Sequence, residues 1–141
     1  MRILAVIVVL STVSFAQAPA SSLPPVVKAA FEKAYPGATI SSTSQERDGS
    51  RTAFRVDGAQ NGKRRIVLYD ANGGVIEAAE QVDEKDLPSP VAAAMHSHRR
   101  AIYVSGLKVT RGSSVEYRLT VRGSRKTAMV AKPDGTVVSF K

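Results

Sequence analysis

The sequence predicts an α+β fold: a tandem repeat of a helix followed by a four-stranded antiparallel sheet, with the helices on one face. Segments recur along the chain at a spacing of about 62 to 64 residues. Leu23-Pro24 returns as Leu87-Pro88, Phe54-Arg55-Val56 as Tyr117-Arg118-Leu119, and Asn72-Gly73 before Val75-Ile76 as Asp134-Gly135 before Val137-Val138. Such self-similarity is the mark of a repeated structural unit. In each unit a helical apolar period also gives way to alternation, and Gly- or Pro-containing turn signals separate the alternating segments.

The first residues stand outside the repeats. Arg2 precedes an almost wholly apolar run from Ile3 to Val13, and Ser14-Phe15-Ala16 supplies small residues where a signal peptidase cuts. Residues 1–16 therefore read as a secretory signal peptide, with Gln17 as the mature N-terminus and 17–22 as a short leading segment. The apolar run is too short for a bilayer span, which needs roughly 20 residues. The chain has no Cys, which excludes a lipid-anchored cysteine at the cleavage site and leaves the exported fold to be held by its core alone. One continuous core over about 120 residues suffices for that.

The first repeat, 23–86, opens with a helix. Val27, Ala30, Phe31 and Ala34 fall at i, i+3, i+4 and i+7, one apolar stripe, and Tyr35-Pro36-Gly37 ends it. Strands follow at about 38–46, 51–58, 63–69 and 74–80, with Asn72-Gly73 as a hairpin signal before the last. The second repeat, 87–141, carries the stripe as Val91, Ala94, Met95 and His98, with Ser89 as N-cap and Pro90 at the first helical position. Its strands fall at about 101–110, 114–122, 125–131 and 136–140. Whether the two sheets join is left open by the pattern.

Alternation assigns faces to the strands. Phe54 and Val56 share one side, leaving Arg51 and Arg55 on the other; Tyr117, Leu119 and Val121 oppose Arg118 and Arg122. Ile66 and Leu68 are taken inward, which sends Arg65, Val67 and Tyr69 outward, and the matching outward position of the second repeat is Met129. Helices cover only one face of an antiparallel sheet. The expected partner-binding surface is therefore Arg51, Arg55, Arg65, Val67, Tyr69, Arg118, Arg122 and Met129, a mixture of arginine with aromatic and methionine side chains that is enriched at protein interfaces.

Charge is divided unequally. Residues 23–86 hold nine Lys and Arg against ten Asp and Glu, whereas 87–141 hold ten against only Glu116 and Asp134. The resulting lopsided field attracts acidic surfaces. Nucleic acid is the usual partner of so basic a chain, but an exported protein does not meet it.

Catalytic and metal chemistry find little support. His96 and His98 are the only histidines, and an i, i+2 pair on a helix points roughly 200° apart, unable to chelate one metal. Asp83, Glu84 and Asp86 suit a linker ahead of a helix N-terminus. Asp70-Ala71-Asn72-Gly73 starts like a calcium loop but lacks the downstream bidentate Glu, so a hairpin turn accounts for it better. There is no nucleophile motif, phosphate-cradling loop or dinucleotide fingerprint. The chain is expected to be neither an enzyme nor a cofactor or metal binder.

Several short motifs, in order, resemble one family: Leu23-Pro24 before a helix, Tyr35-Pro36-Gly37-Ala38 leading into a strand, Gly62, the strand ending near Asp70 before Asn72-Gly73, and the renewed Leu87-Pro88. They resemble the PepSY-like, or beta-lactamase-inhibitor-like, exported bacterial proteins. The resemblance implies tandem helix-plus-sheet units in the periplasm or outside the cell, and no catalytic or ligand residues. It also implies binding through a concave sheet face, as in the inhibitors after which the family is named. The chain departs from it at His98-Arg99-Arg100-Ala101, where Tyr-Pro-Gly-Ala would be expected.

Together these readings predict an exported, non-catalytic protein-binding module. It would be an inhibitor or escort of an envelope hydrolase whose partner is another exported protein. The alternative is an envelope-associated protein that binds anionic polymer or lipid head groups through the basic second repeat.

Overall fold

The computed structural model describes residues 23–98 and 100–141. The expected signal peptide and the segment 17–22 lie outside them. The element order is α1 (Pro25–Ala34), β1 (Thr39–Asp48), β2 (Arg51–Gln60), β3 (Lys63–Tyr69), β4 (Val75–Gln81), a single 3₁₀ turn (Glu84–Asp86), α2 (Ser89–Ser97), β5 (Ile102–Arg111), β6 (Ser114–Arg122), β7 (Lys126–Ala131) and β8 (Val137–Phe140).

The expected tandem repeat, a helix followed by its own four-stranded sheet, is not what forms. All eight strands make one antiparallel sheet in the order β1 to β8, each hydrogen-bonded to its sequence neighbour. The join is β4 to β5, where Ala78–Gln81 pair with Leu107–Thr110. A sheet of four strands would leave two edges of unpaired backbone groups, which cost free energy when buried and invite aggregation when exposed. Pairing β4 with β5 removes one edge from each half.

Proline positions the helix starts. Pro25 sits at the start of α1 and Pro90 just inside α2, where a missing N–H costs nothing. The N-cap of α2 is Pro88 rather than Ser89, and no side chain of the described residues caps it. Both helices end in the same turn. Ala38 N–H donates to the Tyr35 carbonyl at 3.1 Å after Gly37 in the left-handed region (φ 75°), and Ala101 N–H donates to the His98 carbonyl at 3.1 Å after Arg100 at φ 53°. A non-glycine residue in that conformation carries strain.

The helices cover one face. Val27 and Phe31 of α1 pack on Val56, Val67 and Tyr69, and Val91 and Met95 of α2 pack on Tyr117, Leu119, Val121 and Met129. All of these side chains are at most 6% exposed, a burial worth roughly 1.5–3 kcal/mol for each large apolar one. Gly58 lets α1 approach closely: a Cβ there would stand 2.5 Å from the Thr39 carbonyl oxygen and 3.1 Å from the Phe31 ring.

Candidate functional site

Strand register decides which residues occupy the face without helices. The two-residue turn Asn61-Gly62, with φ of 52° and 74°, pairs Gln60 with Lys63, the geometry of a tight twisted hairpin. It follows that Phe54 lies opposite Tyr69, Val56 opposite Val67 and Gly58 opposite Arg65, while Arg55 faces Leu68 and Asp57 faces Ile66. In the second half Leu119 faces Met129 and Arg118 faces Val130.

The expected binding surface is therefore divided. Arg51, Arg55, Arg118 and Arg122 lie on the open face by register. Val67, Tyr69 and Met129 do not: they are 0–1% exposed beneath the helices. Arg65 lies on the helix side too, its guanidinium 4.8 Å above the Tyr35 ring and 3.3 Å from Glu80. The physical reason is parity. The segment Arg65-Ile66-Val67-Leu68-Tyr69 has apolar side chains on both faces, and only the Asn61-Gly62 turn settles which set turns inward. The apolar residues that lie on the open face by register include Ile66, Leu68, Ala79, Leu107, Val109 and Val130.

The open face is concave. Asp48 at the end of β1 accepts hydrogen bonds from Arg111 of β5 at 3.1 and 3.2 Å. On a flat sheet four strand spacings would hold those backbones roughly 19 Å apart, so the sheet must curl to bring them together. The chain of ion pairs continues: Arg111 Nε donates to Glu77 at 3.3 Å, Arg118 to Glu77 at 3.2 Å, and Arg118 Nε to Glu116 at 2.7 Å. Ala53 and Val109, on this face by register, are nonetheless at most 1% exposed, which agrees with a curled sheet.

Further along the trough Asp57 is the one buried charged side chain among the described residues, 7% exposed. Arg64 reaches it through both Nε, at 3.0 Å, and a terminal nitrogen, and Arg55 approaches to 3.8 Å. The Arg64 hydrogen bonds hold the Asp57 carboxyl below the usual carboxylate range against the opposing cost of burial, and raise the Arg64 guanidinium in return. Between Arg64 and Arg118 lies a trough of about 460 Å³, with Leu107, Ala128 and Val130 along it and Gln81, Ser105 and Thr120 as polar groups. Next to it Arg122, paired in register with Lys126 and with the exposed Ile102, has no acidic group within 4 Å among the described residues, and neither has Lys126.

The described residues contain no cluster of three or more His, Asp or Glu side chains able to hold a metal. His96 Nε2 lies 3.2 Å from Glu84, and the His98 ring lies 3.7 Å from that of Phe140, so the two histidines have separate neighbours. No helix of the described residues is long and apolar enough to cross a membrane.

No family model and no curated protein matches the sequence. Solved structures do share its fold. A predicted periplasmic protein from Bacteroides eggerthii superposes with a TM-score of 0.71 at 16% identity, covering 85% of this chain and 88% of its own. A DUF2874 family protein from Bacteroides uniformis gives 0.70 at 18%, covering 85% and 89%. A BLIP-like protein from Bacteroides fragilis gives 0.64 at 23%, covering 86% and 88%. The chain thus has the fold of BLIP-like and DUF2874 proteins.

Proposed function

We propose that this chain is an exported, non-catalytic protein-binding module of the PepSY-like, beta-lactamase-inhibitor-like kind, which grips a partner in its concave sheet face as an inhibitor or escort of an envelope hydrolase. One observation carries the reading. The concave face combines an apolar floor (Leu107, Ala128, Val130) with cations that are balanced by carboxylates at one end, around Arg118, and have no acidic partner within 4 Å among the described residues at the other, at Arg122 and Lys126 beside the exposed Ile102. Interfaces are built this way, from an apolar centre with arginine at its margin. The partner surface is a convex one bearing an apolar side chain beside a carboxylate. The apolar leader-like segment at the N-terminus and the fold shared with a BLIP-like and a predicted periplasmic protein support a periplasmic or secreted setting.

The test is a cross-linking pull-down from envelope extract at low and high salt, with the protein beside two charge-reversed variants. Arg118→Glu/Arg122→Glu alters the concave face, and Arg100→Glu/Arg125→Glu removes as much charge elsewhere. A single protein retained at high salt, lost with the first variant and kept by the second is the expected result. Equal loss with both variants, or complete elution by salt, refutes the reading.

A second reading has its own support in the excess positive charge of the second half, where Arg122, Arg125, Lys126, Lys132 and Lys141 lack acidic neighbours within 4 Å among the described residues. On that reading the protein binds anionic envelope polymer or lipid head groups. The same pull-down then yields diffuse acidic material released by salt, as charge screening requires.

A further inference from the structure

We propose that the cavity at the C-terminal end of α2 is a binding site for a small amphiphilic anion, a carboxylate carried on an apolar tail. The site lies on the helix-covered side of the sheet, opposite the concave face, and does not rest on the reading given for that face. Its volume is about 480 Å³, within the range of small-molecule sites, roughly 300–1,000 Å³. Ala101, Val121 and Phe140 give it an apolar wall, which the His98 ring extends by lying 3.7 Å from the Phe140 ring. Arg125 and Lys141 stand at the same cavity with no acidic side chain within 4 Å among the described residues. The end of α2 contributes about half a negative charge, and the main-chain carboxylate of Lys141 offsets its own ammonium, so the net positive charge at the cavity rests on the Arg125 guanidinium, which outweighs the helix end.

The other half of the molecule shows the same place closed. Tyr35, Arg65 and Ala78 occupy the positions of His98, Thr127 and Phe140, 62 or 63 residues earlier, and the hollow touching them, about 120 Å³, lies on the far side toward Lys108 and Thr110 of β5. The counterpart of the cavity itself is taken up by Arg65, which lies over the Tyr35 ring, donates to Gln60 at 3.0 Å and pairs with Glu80. In the second half Thr127 is too short to do this, and the three-residue loop Gly123-Ser124-Arg125 replaces the tight Asn61-Gly62 turn and carries its own cation to the cavity. Protein interiors are close-packed, with few voids larger than a water molecule. A cavity opened in one half, walled with apolar groups and given a cation without a partner, has the composition of a site for an anionic head and an apolar tail. The head group meets Arg125 and Lys141, and the tail lies against Val121, Ala101 and Phe140.

Isothermal titration calorimetry with dodecanoate below its micelle concentration tests this, beside dodecyltrimethylammonium as a cation of equal chain length and phosphatidylglycerol vesicles as the same sign of charge in a bilayer. Saturable binding of dodecanoate but not of the ammonium compound is expected. Arg125→Glu weakens it at least about tenfold, the loss of one charge-assisted contact, while Arg118→Glu on the concave face leaves it within about twofold. Thr127→Arg separates a pocket from a charged surface, because it adds positive charge while filling the cavity as Arg65 fills its counterpart. Weaker binding by that variant supports the site, and tighter binding overturns it. Equal binding of the ammonium compound, or binding to vesicles without binding to dodecanoate, also overturns it.

Discussion

Replacing Asp57 with Asn keeps the shape of the side chain and removes its charge, so it isolates what the Arg64 pair contributes. The Asp57 side chain is 10% exposed, and that of Arg64 is 53% exposed. A hydrogen bond to a charged group contributes roughly 1.5–3 kcal/mol, and solvent around the exposed guanidinium screens part of it, so the expected loss near neutral pH is about 2 kcal/mol. With a urea m-value of about 2 kcal/mol/M, the unfolding midpoint should fall by about 1 M. The pH dependence supplies a second check. Because the folded-state pKa of Asp57 is depressed, its stabilisation is complete above the unfolded value of about 3.9 and is lost as pH falls through the lower folded value. Urea midpoints of the two proteins should therefore converge in the acid range below about pH 4. A gap under about 0.5 kcal/mol at neutral pH, or one that persists undiminished in acid, would show that packing rather than charge had been removed.

Three further substitutions probe the backbone and core. Arg100→Gly relieves the left-handed strain at φ 53°, worth about 1–2 kcal/mol, against a glycine entropy cost of roughly 0.5–1 kcal/mol; the thermal midpoint should rise by a few degrees, and a fall would refute the strain. Gly58→Ala places a Cβ 2.5 Å from the Thr39 carbonyl oxygen and should cost about 1–3 kcal/mol in urea unfolding. An unchanged midpoint would mean that β1 yields without cost. Tyr69→Phe removes a buried hydroxyl that has no hydrogen-bond partner among the described residues and whose pKa burial pushes up to about 12. Stability should hold or rise by about 1 kcal/mol; a clear loss would reveal a partner for the oxygen. In the parent protein that raised pKa means stability is intact below about pH 10 and declines above it as the phenol ionises, and the decline should shrink in the variant.

What could be read in the sequence was local. Proline pairs placed the helix starts, and Asn72-Gly73 and Asp134-Gly135 placed turns, because each imposes a backbone geometry on its own few residues. Face assignment failed at Ile66-Val67-Leu68-Tyr69 and at Met129-Val130, where apolar side chains on adjacent positions make period-2 parity ambiguous. Asn61-Gly62 held the missing information, since a two-residue loop fixes which partner each residue meets and would have turned Val67 and Tyr69 inward with Val56 and Phe54. The pairing of Ala78–Gln81 with Leu107–Thr110 spans an intervening helix, and nothing local in either segment announces it. The cavity beside His98 showed only as a departure from Tyr-Pro-Gly-Ala; its opening depends on Thr127 and on the β6–β7 loop, which meet it only in three dimensions.

The link from Asp48 through Arg111 to Glu77 holds the first hairpin against the fifth strand across three strands that lie between them. It acts as a drawstring on an otherwise open sheet, and its fibres are ion pairs in contact with solvent, which loosen as salt rises. The depth of the trough is thus set partly by the medium. Ionic strength should therefore shift how closely the trough fits a given curvature, by no more than the roughly 0–1 kcal/mol that exposed ion pairs contribute, which tunes the fit without releasing a well-matched partner.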